Sequence, residues 1–253
     1  MIRATCLTAL LAGAALITPA APATAATLTV GSVGGTWGDV VDSGETRGGL
    51  AGRGTSSINW GTSAVAGEAR SGYRFAGGAP VTSTASDLFA LGRYTHHNGT
   101  IWSNSTDLKR ADLALSVGGT ANGQAFSTKA AFRFTHDESL NSGNPCSSGG
   151  SGPCADGVGI SLLSGLPLVF TVGKDTFTLL IEGFVEQLGG PLVTSFVTEE
   201  LEEHSLFLQA RLTVTTDTSQ EPDPPAPVPL PASLPLLLAG LGAVGLAARR
   251  RKA

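Results

Sequence analysis

The 253 residues include 34 Gly, only 14% charged side chains and a single Met, with a formal net charge of −4. A chain so rich in glycine and turn residues resembles neither a helical cytosolic enzyme nor a charged disordered tail. Residues 26–217 hold 11 basic and 18 acidic side chains, about −7, which argues against nucleic acid as a partner because that role needs a basic surface.

In chain order, residues 1–25 read as a secretory signal peptide. Arg3 supplies the positive charge, Leu7 to Ile17 is a short apolar run, and Ala23-Thr24-Ala25 is an A-x-A site. The run is too short to span a bilayer and ends at Pro19 and Pro22. Export by the Sec machinery and removal by signal peptidase after Ala25, with Ala26 as the neighbouring option, are therefore expected. Cys6 leaves with the leader.

Residues 26–217 read as one all-β ectodomain. Leu88–Tyr94 is strand-like and runs into Thr95-His96-His97-Asn98. Thr and Asn side chains bond to nearby backbone, so Thr95 and Asn98 are expected to close the loop after that strand, with His96 as a hydrogen-bonding strut. The functional alternative is that Thr95, His96 and Asn98 contact a glycan or a cation. Ala111–Val117 places Leu113, Leu115 and Val117 on one side, and Ala130–Phe134 does the same for Phe132 and Phe134. Cys146 and Cys154 flank a Gly/Ser-rich loop. In an oxidising envelope they favour a disulfide over metal ligation, because no partner stands at zinc-site spacing. Leu168–Val172 and Thr176–Phe184 form a hairpin across Gly173-Lys174-Asp175. Thr198–His204 could make one helical turn, but its acidic run reads better as a solvated loop face. Leu206, Leu208, Ala210, Leu212 and Val214 then share a face of a last strand.

Many short strands between Gly, Ser and Asn turns predict an antiparallel β-sandwich, jelly-roll-like. Trp37, Trp60 and Trp102 are expected to pack in the core or at its rim, with sugar stacking as the alternative. No G-x-S-x-G, H-E-x-x-H, Walker or dinucleotide pattern occurs, so no catalytic residue and no enzyme activity is expected. Asp137, Glu138 and Asp156 are a weak candidate Ca²⁺ set. Paired with one another or with Glu182, the same carboxylates are a weak glycosidase alternative.

Residues 218–227 are a Pro-rich, extended linker. Then follow Val228-Pro229-Leu230-Pro231-Ala232, an uncharged run from Leu230 to Ala248, and the basic stop Arg249-Arg250-Arg251-Lys252. Nineteen helical residues would be roughly 28 Å long, the hydrocarbon thickness of a bilayer. The basic stop places the ectodomain outside the cytoplasm. This arrangement over 228–253 resembles the PEP-CTERM sorting signals, in their VPLPA variant. The resemblance implies recognition by an exosortase, transient anchoring in the inner membrane, and surface delivery in Gram-negative bacteria that make exopolysaccharide.

Thr95-His96-His97-Asn98, with Gly92, Tyr94, Gly99 and Ile101 around it, resembles the signature of the THxN family of PEP-CTERM proteins. Phe132, Phe134, Thr135, Glu138 and Asn141, then Cys146, Cys154 and Asp156, extend the likeness. Thr135-His136-Asp137 departs from it, and no role passes to His136. The resemblance implies location and motif, and no biochemical activity. The expectation is an exported surface or matrix protein, structural or glycan-binding. A secreted polysaccharide hydrolase is the alternative.

Overall fold

The computed structural model describes residues 25–84, 86–141, 146, 154–218 and 249. The signal peptide up to residue 24, the Pro-rich linker from residue 219, the Val228–Ala232 motif, the apolar run and the rest of the basic stop lie outside the described residues. Among those described, no helix is long and apolar enough to cross a membrane.

Among the described residues, twelve strands build two antiparallel sheets that face each other as a sandwich. The first sheet is ordered β11 (Ser195–Thr198), β8 (Asp156–Ser164), β7 (Gln124–Asp137), β6 (Leu108–Ala121), β1 (Leu28–Asp42) and β4 (Val81–Ser83). The second is ordered β2 (Ser57–Asn59), β3 (Gly72–Gly77), β5 (Asp87–His97), β12 (Glu203–Thr216), β10 (Asp175–Val185) and β9 (Leu168–Val172). The predicted all-β sandwich is what forms.

Period-two burial makes the core. Leu113, Leu115 and Val117 on β6, Phe132 and Phe134 on β7, and Leu206, Leu208, Ala210 and Leu212 on β12 all turn inward. The aromatic centre is Trp37, Tyr73, Tyr94 and Phe134, with ring centroids 4.7–6.1 Å apart. Bulges switch the inward set along several strands. On β1, Leu28 and Val30 face in before a register shift between Val30 and Ser32, and Gly35 and Trp37 face in after it. On β5 the ladder skips Leu91, so Phe89 and Leu91 give way to Tyr94 and His96.

Three expectations change in detail. The β9–β10 loop is the two residues Gly173 and Lys174, because Asp175 already pairs with Val172. Thr198–His204 is not a helical turn. Thr198 ends β11, Leu201 sits at φ 63°, and Glu202 N donates to Glu199 O. Thr95 does not close a loop. It lies within β5, paired with Arg74 and Ser205 in the two ladders.

At the far end of the sandwich Asp175 ties the sheets. Its carboxylate accepts from Thr216 Oγ1 at 2.7 Å and from Asn122 Nδ2, on the β6–β7 turn, at 3.0 Å. Those two bonds, with some help from Lys174 and against a smaller opposing effect of burial, hold it below the usual carboxylate range. A lowered folded value stabilises the fold above the unfolded value of about 3.9, and the gain fades as pH falls through the lowered one. Urea unfolding at a series of pH values is therefore expected to give wild type a constant advantage over Asp175→Asn at neutral pH. The advantage shrinks below about pH 4.

Candidate functional site: a buried histidine–carboxylate cluster between the sheets

The chemistry-bearing side chains converge inside the sandwich. His96 comes from β5 of the second sheet, and His136 from β7 and Asp156 from β8 of the first. On β7 the inward rhythm Ala130, Phe132, Phe134 continues to His136, and Asp156 is the first inward residue of β8. His96 and Asp156 have no solvent exposure and His136 is buried as well. One donor atom from each of the three lies within 4.8 Å of the others.

The outward sides of these groups are pinned. His96 Nδ1 is 2.8 Å from Thr198 Oγ1, and His136 Nδ1 is 2.8 Å from Tyr73 Oη. Ser139 N donates to Asp156 Oδ1 at 3.0 Å, while Ser139 Oγ donates to Cys154 O at 2.9 Å. The inward atoms are less satisfied. His136 Nε2 lies 3.3 Å from Glu138 Oε2 and 3.5 Å from Asp156 Oδ2. The latter separation exceeds the normal hydrogen-bond range. Among the described residues, His96 Nε2 and Asp156 Oδ2 have no hydrogen-bond partner. Trp60 Nε1 donates to Glu138 Oε2 at 3.0 Å, and the Trp60 ring lies over His96 at 17°.

Burial and then the neighbouring His136 push His96 well below its ordinary range, so this imidazole is neutral. For His136 burial acts in the same direction, but the nearby carboxylates of Asp156 and Glu138 outweigh it and raise the value to about 9. Glu138 is raised by burial and by Asp156, with His136 and Trp60 partly opposing. Burial also lifts Tyr73 far above its usual value.

Asn98 has no solvent exposure. Its Nδ2 donates to Thr198 O at 2.9 Å, its N to Glu202 O at 3.0 Å, and its O accepts from Leu201 N at 2.8 Å. His96 and Asn98 thus grip the same residue, Thr198, one by its hydroxyl and the other by its carbonyl. Thr95 Oγ1 meets Ser205 Oγ at 3.0 Å. The expected glycan contact therefore does not fit His96 or Asn98, whose side chains are sealed between the sheets. Asn98→Ala removes a buried hydrogen bond to the Thr198 carbonyl, which also lies in the ladder with Asp156, and is expected to cost about 1 kcal/mol in urea unfolding, with the m-value unchanged.

Asp137, Glu138 and Asp156 do not form the oxygen cage expected for Ca²⁺. Asp137 is exposed on the face opposite His136, and two imidazoles border the other carboxylates. The Cys146–Cys154 disulfide is present as predicted, with Cα atoms 5.4 Å apart. Closing so small a loop contributes about 2–3 kcal/mol at most in the chain-entropy account. Trp37 and Trp60 are fully enclosed, whereas Trp102 is 45% exposed at the rim with the Arg47 guanidinium 4.7 Å over its ring. Arg249 is exposed.

His136 carries no role in the sequence analysis, although its signal was present. Phe132, Phe134 and His136 stand two apart, so a strand that buries the first two must bury the third.

No curated protein matches the chain closely enough to count as a relative. The family described as the PEP-CTERM protein-sorting motif matches residues 227–252. This is the segment where Val228-Pro229-Leu230-Pro231-Ala232 and Arg249-Arg250-Arg251-Lys252 stand. The chain therefore carries a PEP-CTERM protein-sorting motif beyond its β-sandwich, which indicates an exported protein sorted by an exosortase in the Gram-negative cell envelope.

Proposed function

We propose that the chain is a non-enzymatic module displayed on the cell surface or in the extracellular matrix, with a structural role among exopolysaccharide. It belongs on this reading to the THxN group of exosortase substrates. The observation that carries the reading is the sorting motif at residues 227–252, joined through a Pro-rich linker to a sandwich. A tail of this kind delivers whatever domain precedes it, and the domain's interior cluster is packed between the sheets, with His136 and Glu138 bordering surface clefts. In that role His96 and Asn98 set the fold, by holding β11 and the following turn.

The test is intact mass and fractionation of the native protein from cells with and without the exosortase. A mature species that lacks the leader and everything after about Ala232, present only with the exosortase, is the expected result. A species that keeps Leu230–Ala253 in the inner membrane in both strains would overturn surface delivery.

Glycan binding is the second reading, and Trp102 favours it. The ring borders a cleft of about 310 Å³ lined also by Thr100, Ser103, Leu140 and Asn141. Exposed aromatic rings stack on sugars. Retention of the ectodomain by purified exopolysaccharide, lost in Trp102→Ala, would establish this version. Sugar release from the same polymer, abolished by Glu138→Gln, would establish instead the hydrolase alternative.

A further inference from the structure

We propose that His96, His136 and Asp156 bind one transition-metal dication of the zinc type, as a structural clamp between the two sheets. The geometry of the inward atoms carries this. Among the described residues His96 Nε2 and Asp156 Oδ2 are enclosed and have no hydrogen-bond partner, and one donor atom each of His96, His136 and Asp156 lies within 4.8 Å of the others. A buried polar atom left without a partner is costly, and two such atoms aimed at one point ask for a common electrophile.

The remaining atoms of each group are occupied as metal ligands require. His96 Nδ1 meets the Thr198 hydroxyl, His136 Nδ1 the Tyr73 hydroxyl, and Asp156 Oδ1 the Ser139 amide. Such outer partners fix ring orientation and direct Nε2 toward the ion. Ligand atoms at zinc bond lengths stand about 3.3 Å apart at the corners of a tetrahedron. His136 Nε2 lies 3.5 Å from Asp156 Oδ2 and 3.3 Å from Glu138 Oε2. The wider span to His96 requires a modest inward movement of that ring.

Two imidazoles and a carboxylate select a first-row transition metal over Ca²⁺ or Mg²⁺, which take oxygen ligands. A dication also balances the two buried carboxylates, Asp156 and Glu138, when both imidazoles are neutral. Glu138 Oε2, 3.3 Å from His136 Nε2, stands where a fourth ligand would close the tetrahedron and leave no position for a substrate, which marks a structural ion. Because His96 belongs to one sheet and the other two ligands to the opposite one, the ion would link the layers directly. This site does not depend on the matrix role.

The mature chain is purified from its own cells, in detergent where it keeps the tail, and stripped with EDTA. It is then titrated with Co²⁺ as a coloured stand-in and with Zn²⁺ in competition. One equivalent of Co²⁺ with the intense visible absorption of tetrahedral coordination, displaced by Zn²⁺, is expected, together with a Tm that rises with Zn²⁺ concentration. His96→Gln and Asp156→Asn are each expected to weaken binding by at least roughly 100-fold, beyond the effect of losing an outer partner. Thr198→Val, which removes only such a partner, is expected to weaken it by about 10-fold with the fold retained by circular dichroism. His204→Gln, on a ring stacked against Phe196 at 4.4 Å, leaves it unchanged. The proposal is overturned if folded wild-type protein binds no equivalent of either ion. It is also overturned if binding survives unchanged in His96→Gln and Asp156→Asn, or is lost in His204→Gln. Should His96→Gln or Asp156→Asn fail to fold, the wild-type titration and Thr198→Val decide.

Discussion

Trp37→Ala is expected to lower the unfolding free energy by roughly 3–5 kcal/mol, the cost of removing a large aromatic side chain from a packed core. The indole is fully enclosed on β1 and meets Phe134 edge-on at 5.1 Å and Tyr73 at 5.2 Å. Its Nε1 donates to Ser56 O at 3.2 Å, so the alanine variant also removes one of that carbonyl's two donors and leaves it Phe75 N at 2.9 Å. The rings around it belong to both sheets and cannot close the void without moving β1 against β3. Trp37→Phe keeps most of the volume and should lose distinctly less, the difference reporting the hydrogen bond and the outer ring. Urea titration of the three proteins checks this, through midpoints compared at constant m-value. A loss under 1 kcal/mol for Trp37→Ala would mean that the aromatic centre is not packed as described.

The same residue shows why part of the fold was legible and part was not. Leu206, Leu208, Ala210 and Leu212 announce β12 because they alternate without interruption, and the structure buries all four. Leu113, Leu115 and Val117 do the same for β6. On β1 the alternation is hidden. Gly31, Gly34, Gly35 and Gly38 carry no hydropathy signal, and the bulge near Gly31 moves the inward set from even to odd positions before Trp37. A 15-residue strand in the middle of a sheet therefore leaves little trace in a pattern search. β10 conceals its end in the same way, at the register shift between Ile181 and Gly183.

The site was legible in its members except His136, and not in its arrangement. His96 and Asn98 stand out as residues, and so do Glu138 and Asp156, but the two groups lie far apart along the chain. Only sheet packing brings β5 over β7 and β8. A bulge at Leu91 aims His96 inward, and no local signal foretells it. The motif read as a loop closure is instead mostly strand, because His96 occupies a core position that a turn could not supply. The link from His96 and Asn98 to Thr198 spans about 100 residues and belongs to the tertiary fold alone.

Gly77→Ala should destabilise the domain by about 3 kcal/mol, toward the upper end of what overpacking usually costs. Gly77 ends β3 opposite Gly92, and a Cβ placed on it would stand only 2.0 Å from the Val33 carbonyl oxygen of β1. That neighbour is backbone, so no side chain can swing away to make room. Stacked sheets normally lie about 10 Å apart, but here the main chains of the two layers touch. The contact is reinforced by the segment before β2, where Trp37 N donates to Thr55 O at 2.9 Å and Phe75 N to Ser56 O at 2.9 Å. Phe75 fills the space beside it, and a Cβ on Gly35 or Gly92 would meet that ring at 2.4 Å or 2.6 Å. Gly77→Ala must push β1 from β3, which loosens Phe75 and then Trp37 beyond it. Combined with Trp37→Ala, its cost should therefore fall short of the sum of the two single losses by more than 0.5 kcal/mol, about the limit expected of independent sites. Full additivity in a double-mutant cycle would show that the pinch at Gly77 and the aromatic centre are mechanically separate.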